Sequence, residues 1–269
     1  MSTPLELAIS PCPNDTYIFD AWVNGRLGPG APAVTCRLED VSTLNELAFR
    51  GEPDVVKVSF YAYSRLRPAY ELINAGGALG RGCGPLLVAP PTTAGREGLR
   101  ALRIAVPGCW TTANLLFSLY QPEAKNKIYL PFDEIMPAIA AGDVDAGVII
   151  HEGRFTYRNY GLSLIEDLGA WWEKTTGHPI PLGAIIAKKE LGPDTLALVA
   201  SAIRASIHHA RTNPEAPLAF MKQHAIEMDG AVMNSHVALY VNEYSLDFGP
   251  DGRAAIEHLL GLAQAKGLL

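Results

Sequence analysis

The residue with the clearest chemical setting in this chain is His151. It follows the apolar run AGVII (146–150) directly, inside AGVIIHEGRFTYRNYGL (146–162), so its ring is expected at the carboxyl end of a buried strand. A neutral imidazole in that place can abstract a proton near neutral pH, and a nearby carboxylate can orient it. Glu152 comes next, but neighbouring strand residues face opposite sides, so adjacency alone does not make it the partner. The plainer reading is a structural histidine. The other six histidines lie in the C-terminal region or beside a proline and are less well placed.

Two further stretches offer binding groups. In VPGCWTTANLLF (106–117) a strand ends in Pro-Gly and the pair Thr111–Thr112 opens a helix. Free amides at a helix start, with hydroxyls and the dipole, hold a carboxylate or phosphate well. A simple threonine N-cap is the plain alternative, and the G-x-x-x-x-G-K pattern of a P-loop is absent. In LAISPCPNDTYIF (7–19), Ser10, Cys12, Asn14, Asp15 and Thr16 crowd behind an apolar run. Pro11 and Pro13 restrict that backbone, as suits a ligand cradle of fixed shape, and Asn14 or Asp15 is placed to cap the helix that follows. The glycine-rich GGALGRGCGP (76–85) does not match a dinucleotide fingerprint and reads as a tight crossover lining a cleft.

Thiol and metal chemistry are weakly supported. Cys12 and Cys109 precede predicted helices, where a thiolate would be stabilised, yet small buried cysteines are common. The four cysteines include no C-x-x-C pair, so neither a disulfide framework nor a zinc site is expected. The one histidine pair, His208–His209, points to two sides of a helix.

Strands must carry these groups to one place. The pattern predicts strands at 5–9, 34–38 and 55–60, with helices at 15–27, from a Thr43–Glu46 capping box to about 51, and through 70. After the glycine cluster and a strand at 85–89, a second series follows. It has strands at 103–106, 128–130, 146–150, 162–166 and 182–187, and helices at 112–120, 134–141 and 171–175. From Pro193 onward the chain reads as helices only: 195–211, 214–224, 231–244 and 253–266. Strands alternating with helices imply parallel crossovers and an α/β sheet. Two such series imply two lobes, a larger discontinuous one (1–95 and 187–269) and a smaller inserted one (96–186). Trp171–Trp172 reads as an element that packs the lobes together. Ligands of open α/β sheets bind beyond the carboxyl ends of strands, which nominates the loops 10–16, 59–63, 80–84, 107–112 and 151–157.

The bulk properties are those of a globular protein: 269 residues, 48% apolar and 19% charged, with a net charge of −6. That charge gives no reason to expect nucleic acid as partner. No apolar run approaches the length of a membrane span, and the start MSTPLELAIS lacks a secretory signal, so a cytoplasmic location is expected.

Five stretches belong together: SPCPNDTYIF, LEDVSTLNELA, KVSFYAYSRLRPAYELINAGGALGRGCGPLLVA, IIHEGRFTYRNYGL and DLGAWWEKTTGHPIPLGAIIA. Taken together they resemble the 1,4-dihydroxy-6-naphthoate synthases of the futalosine branch of menaquinone biosynthesis. The resemblance implies a two-lobed fold like the type II periplasmic binding proteins, with the ligand cleft between lobes. It implies cleavage of cyclic dehypoxanthine futalosine to dihydroxynaphthoate with loss of a sugar-derived fragment. In that setting His151 would be the general base, and Asn14, Ser59, Thr111 and Thr112 would contact the ligand. The substrate's carboxylate would meet the Thr111–Thr112 helix start or the backbone amide near Gly82. No cofactor is implied, and the exposed helical faces of the tail permit a homodimer. The main alternative, from a different class, is a solute-binding protein that holds a small carboxylate without converting it. A regulator's effector domain is a third reading, and no helix-turn-helix before residue 5 supports it.

Overall fold

The computed structural model describes residues 3–93, 96–225 and 229–269. The chain begins with β1 (Leu5–Ile9), α1 (Pro13–Val23), β2 (Val34–Leu38), α2 (Val41–Phe49), β3 (Val55–Ser59), α3 (Phe60–Leu66) and β4 (Tyr70–Gly80). It continues through β5 (Leu86–Ala89), β6 (Ile104–Val106), α4 (Thr112–Tyr120), β7 (Lys127–Tyr129), α5 (Ile135–Ala141), β8 (Ala146–Ile149), α6 (Gly153–Thr156), β9 (Ser163–Asp167) and α7 (Leu168–Thr176). It closes with β10 (Ile180–Lys188), α8 (Gly192–Thr212), α9 (Leu218–His224), α10 (Gly230–Tyr240), α11 (Glu243–Leu246) and α12 (Gly249–Ala265).

These elements form two five-stranded sheets, ordered β2-β1-β3-β10-β4 and β7-β6-β8-β5-β9. Within the first, β1 runs parallel to β2 and β3, while β10 is antiparallel to β3 and β4. The second repeats the plan: β6 is parallel to β7 and β8, and β5 is antiparallel to β8 and β9. The expectation of parallel strands throughout is therefore corrected at one strand per sheet. The reason is directional. Parallel strands end at the cleft, so a chain that arrives across the cleft must start there and run away from it. That is what β5 and β10 do.

Sheet membership also moves the lobe boundaries from the expected 95/96 and 186/187. Leu86–Ala89 pairs in the second sheet, and Ile180–Lys188 pairs in the first. The chain crosses between β4 and β5 and again between α7 and β10, and residue 95 lies outside the described residues. At the first crossing Gly84 lies against Gly169, where an added Cβ would sit 2.2 Å from the Gly169 Cα. Gly76, Gly77 and Gly80 belong to β4 itself, so only the second half of the glycine cluster is crossover.

Local capping differs from expectation at two helices. Asp40, not Thr43, caps α2, because its carboxylate accepts from the amides of Ser42 and Thr43 and from the Thr43 hydroxyl. α1 starts at Pro13 with Cys12 as N-cap and no side-chain cap bond. Asn14 and Asp15 thus sit inside its first turn, and neither side chain serves as a cap.

One apolar cluster joins the lobes, running from Val56, Val58 and Phe60 to Phe117, Val148 and Trp172. Trp172 is fully buried, donates Nε1–H to the Pro179 carbonyl, and meets the His258 ring of α12 edge-on at 5.7 Å. It packs α7 of the second lobe on the first lobe's last helix, as the sequence implied.

Candidate active site

A cleft of about 650 Å³, open solvent included, lies between the lobes. The carboxyl ends of four parallel strands supply most of its polar wall. Ser10, Asn14 and Asp15 follow β1, Lys57 lies within β3 and Ser59 ends it, Thr111 and Thr112 follow β6, and His151 follows β8. Leu182 and Gly183 come from the cleft end of β10, and His236 and Tyr240 from α10.

His151 holds φ at +55°, alone among non-glycine residues in the described chain. Such a backbone costs about 1–3 kcal/mol and is retained where surrounding structure demands it. Here the turn out of β8 brings Nδ1 to 3.4 Å from the Cys12 Sγ of the opposite lobe. Phe132 packs edge-on against the ring at 4.9 Å. The other nitrogen, Nε2, is buried and has no hydrogen-bond partner among the described residues. Burial lowers the His151 pKa to about 4, with Asp15 opposing, Lys57 assisting and Asp40 opposing. The ring is neutral at pH 7 and carries a lone pair that can accept a proton.

Across from it a buried polar network fixes the α1 loop. Asp15 is fully buried and accepts from Lys57 Nζ, Asn14 Nδ2, the Ser10 hydroxyl and the Ser10 amide. Lys57 is the one charged residue of the wholly buried strand β3, so its pairing with Asp15 is what permits it there. Gly183 faces it, since an added Cβ would come within 2.7 Å of Lys57 Cε. Ser59 is held by Asn45, which accepts from the Ser59 amide and donates to its hydroxyl and to the Trp110 carbonyl.

Thr111 caps α4 through its hydroxyl, which accepts from the Asn114 amide and donates to the Gly108 carbonyl. Thr112 donates its hydroxyl to the Leu182 carbonyl of the first lobe. Thr112 and Ala113 line the cleft, and their amides head a helix that offers them no internal acceptor. Amides so placed can hold an anion, and the threonine cap leaves that end of the helix open to the cleft.

The two buried thiols, Cys12 and Cys83, are not activated as nucleophiles. Burial raises the Cys12 pKa well above the usual value, with Glu152 adding to the rise, and burial takes Cys83 up to about 12. Cys12, His151 and Glu152 do bring ligand-type atoms within 4.8 Å of one another, a grouping that sequence spacing hides.

Comparison with known proteins shows the family and the fold. The family model described as menaquinone biosynthesis matches residues 5–265. The chain belongs to the menaquinone biosynthesis family. It is 48% identical over 270 residues to a 1,4-dihydroxy-6-naphtoate synthase of Streptomyces coelicolor, covering 98% of this chain and 94% of that one. A protein of the same name from Thermus thermophilus is 47% identical over 264 residues, covering 98% and 95%. A solved protein of Archaeoglobus fulgidus superposes with a TM-score of 0.92 at 34% identity, covering 99% of this chain and 98% of that one. The periplasmic aliphatic sulphonate-binding protein SsuA of Escherichia coli superposes at 0.67 with 11% identity, covering 100% and 89%. That likeness concerns the fold alone, and it establishes the two-lobed, binding-protein-like architecture.

In this menaquinone-family enzyme the cleft gathers Asn14, Ser59, Thr111, Thr112 and His151 from four separated stretches. Gly82 is not among them. Its amide donates to the Glu173 carboxylate at 2.7 Å and it is exposed, so it cannot serve as a fixed donor to a ligand. His236, grouped above with the less well placed histidines, lines the cleft instead. Lys57 carried a readable signal, a lone cation among the valines of β3. Cys12, read as an unreactive neighbour, is in contact with the histidine.

Proposed function

We propose that this protein converts cyclic dehypoxanthine futalosine to 1,4-dihydroxy-6-naphthoate, with His151 as general base and no cofactor. Full-length relatives bearing that name support the reaction. The observation that carries the role of His151 is its buried, unpartnered Nε2 on a neutral ring in the cleft. Removal of a proton near a carbonyl starts an elimination whose driving force is formation of the aromatic ring. General-base help of this kind contributes about 10²–10⁴ in rate. The substrate's carboxylate binds at the Thr112–Ala113 amides, where the helix dipole favours negative charge. Enclosure between the lobes keeps water from the intermediate.

The test is incubation of the protein with cyclic dehypoxanthine futalosine while naphthoate absorbance is followed. His151→Asn is the informative variant, because asparagine tolerates a positive φ and so keeps the backbone. It is expected to bind substrate and to lose turnover by at least about 10²-fold. Near-normal turnover in that variant would sink the assignment. Tight binding by the unaltered protein without conversion would favour a solute-binding role.

A further inference from the structure

His236 stands on α10 and is 1% exposed. Its Nε2 lies 3.0 Å from Asn14 Oδ1. The direction of that bond can be worked out from the network behind it. Asn14 Nδ2 is 2.8 Å from Asp15 Oδ1, and a carboxylate bound to Lys57 can only accept. The Asn14 oxygen must therefore face His236, and Nε2 must carry the hydrogen. Burial holds the His236 pKa well below its usual value, with His151 and Lys57 adding to the fall. A neutral imidazole has one N–H, so Nδ1 is left as a bare acceptor. That atom is buried and has no hydrogen-bond partner among the described residues. A buried polar atom in this state carries an uncompensated desolvation cost. The ring lies nearly parallel to that of His151, 12° apart with centroids at 6.2 Å, and Tyr240 flanks it at 4.6 Å.

We propose that His236 is a second substrate-contacting histidine, whose Nδ1 accepts a hydrogen bond from a hydroxyl of the substrate's sugar-derived portion. This rests on the reaction proposed for the same cleft. Its logic is a division of labour between two neutral rings. Nε2 of His151 takes the proton, while Nδ1 of His236 holds the polyol part of the molecule against it. The chain Lys57–Asp15–Asn14 sets the tautomer that makes the second role available.

Two substitutions separate contact from scaffolding, because the amide of glutamine reaches the Nε2 position and that of asparagine the Nδ1 position. His236→Gln keeps a donor for Asn14 and loses the Nδ1 acceptor. It is expected to retain the melting temperature while kcat/KM falls about 10–100-fold, the size of one buried hydrogen bond. His236→Asn is expected to lower the melting temperature and to retain more kcat/KM than the Gln variant. Unchanged kcat/KM in His236→Gln, in an enzyme that otherwise turns over, would overturn the contact and leave the reaction standing. Nitrogen-15 NMR of the free protein adds a readout independent of turnover. It should show His236 protonated at Nε2 only, and a proton on Nδ1 would overturn the proposal by itself. If the unaltered protein neither binds nor converts the substrate, the reaction falls, and the hydroxyl contact falls with it.

Discussion

Cys12 Sγ lies 3.4 Å from Nδ1 of His151, across 139 positions of sequence and across the cleft between lobes. With Nδ1–H donating to the sulfur, Nε2 keeps its lone pair, and this is the tautomer that the proposed base requires.

The thiols should react in an order set by burial and not by sequence. Cys109 is exposed, whereas Cys12 and Cys83 are buried with raised pKa values. Iodoacetamide on the native protein at neutral pH is expected to label Cys109 and to spare Cys12. Mass spectrometry of the digested protein gives the answer, and rapid labelling of Cys12 would restore the thiolate reading.

Acid should loosen the fold before it protonates most carboxylates. His151 titrates at about 4 when folded and near 6.5 when exposed. Between those values the unfolded chain binds the proton that the native site refuses. The stabilising contribution is complete above the unfolded value and is lost as the pH falls toward the folded one. His236 is shifted in the same direction. The melting temperature is expected to decline from about pH 6.5 downward, and less steeply in His151→Asn. An identical slope in the variant would show that the native histidine titrates normally.

Lys57→Met strands the Asp15 carboxylate in a buried site. Breaking such a pair costs about 3–5 kcal/mol, far more than an exposed pair. Urea unfolding should show that loss, and the double variant Lys57→Met, Asp15→Asn should recover much of it. A loss below about 1 kcal/mol would mean that water reaches the carboxylate.

Gly84→Ala is the backbone test. Its Cβ would sit 2.2 Å from Gly169 Cα and 2.4 Å from Gly169 N, both main-chain atoms with no rotamer to yield. Gly82, two residues away, has φ at +68° and open space around it. Alanine there is expected to cost about 1 kcal/mol for its backbone alone. Thermal unfolding should rank the Gly84→Ala protein well below the Gly82→Ala protein, and equal melting temperatures would show that the crossing can part.

The secondary elements were legible where local chemistry decides them. Thr112–Tyr120 begins at a threonine cap and runs apolar to its end, and β1 and β2 stand between clear turn signals. The α2 cap was misplaced because Asp40, a stronger acceptor, lies three residues before Thr43. Strand direction at β5 and β10 could not be read locally, since it depends on which lobe the chain has just left. Long-range pairing hid the rest of the site. His236 meets Asn14 across 222 positions, and the Gly82 amide is claimed by Glu173 across 91. Neither partner leaves a mark near the other in sequence.

The antiparallel strand β10 also sets an order of assembly. It fills the space between β3 and β4, so the first sheet stays split until the chain has been synthesised through Lys188. Every strand of the second sheet lies between Leu86 and Asp167. A growing chain thus delivers the inserted lobe whole, while its older neighbour waits for one missing strand. His236 emerges later still. The cleft that unites the two histidines is complete only once the chain has been made through Tyr240.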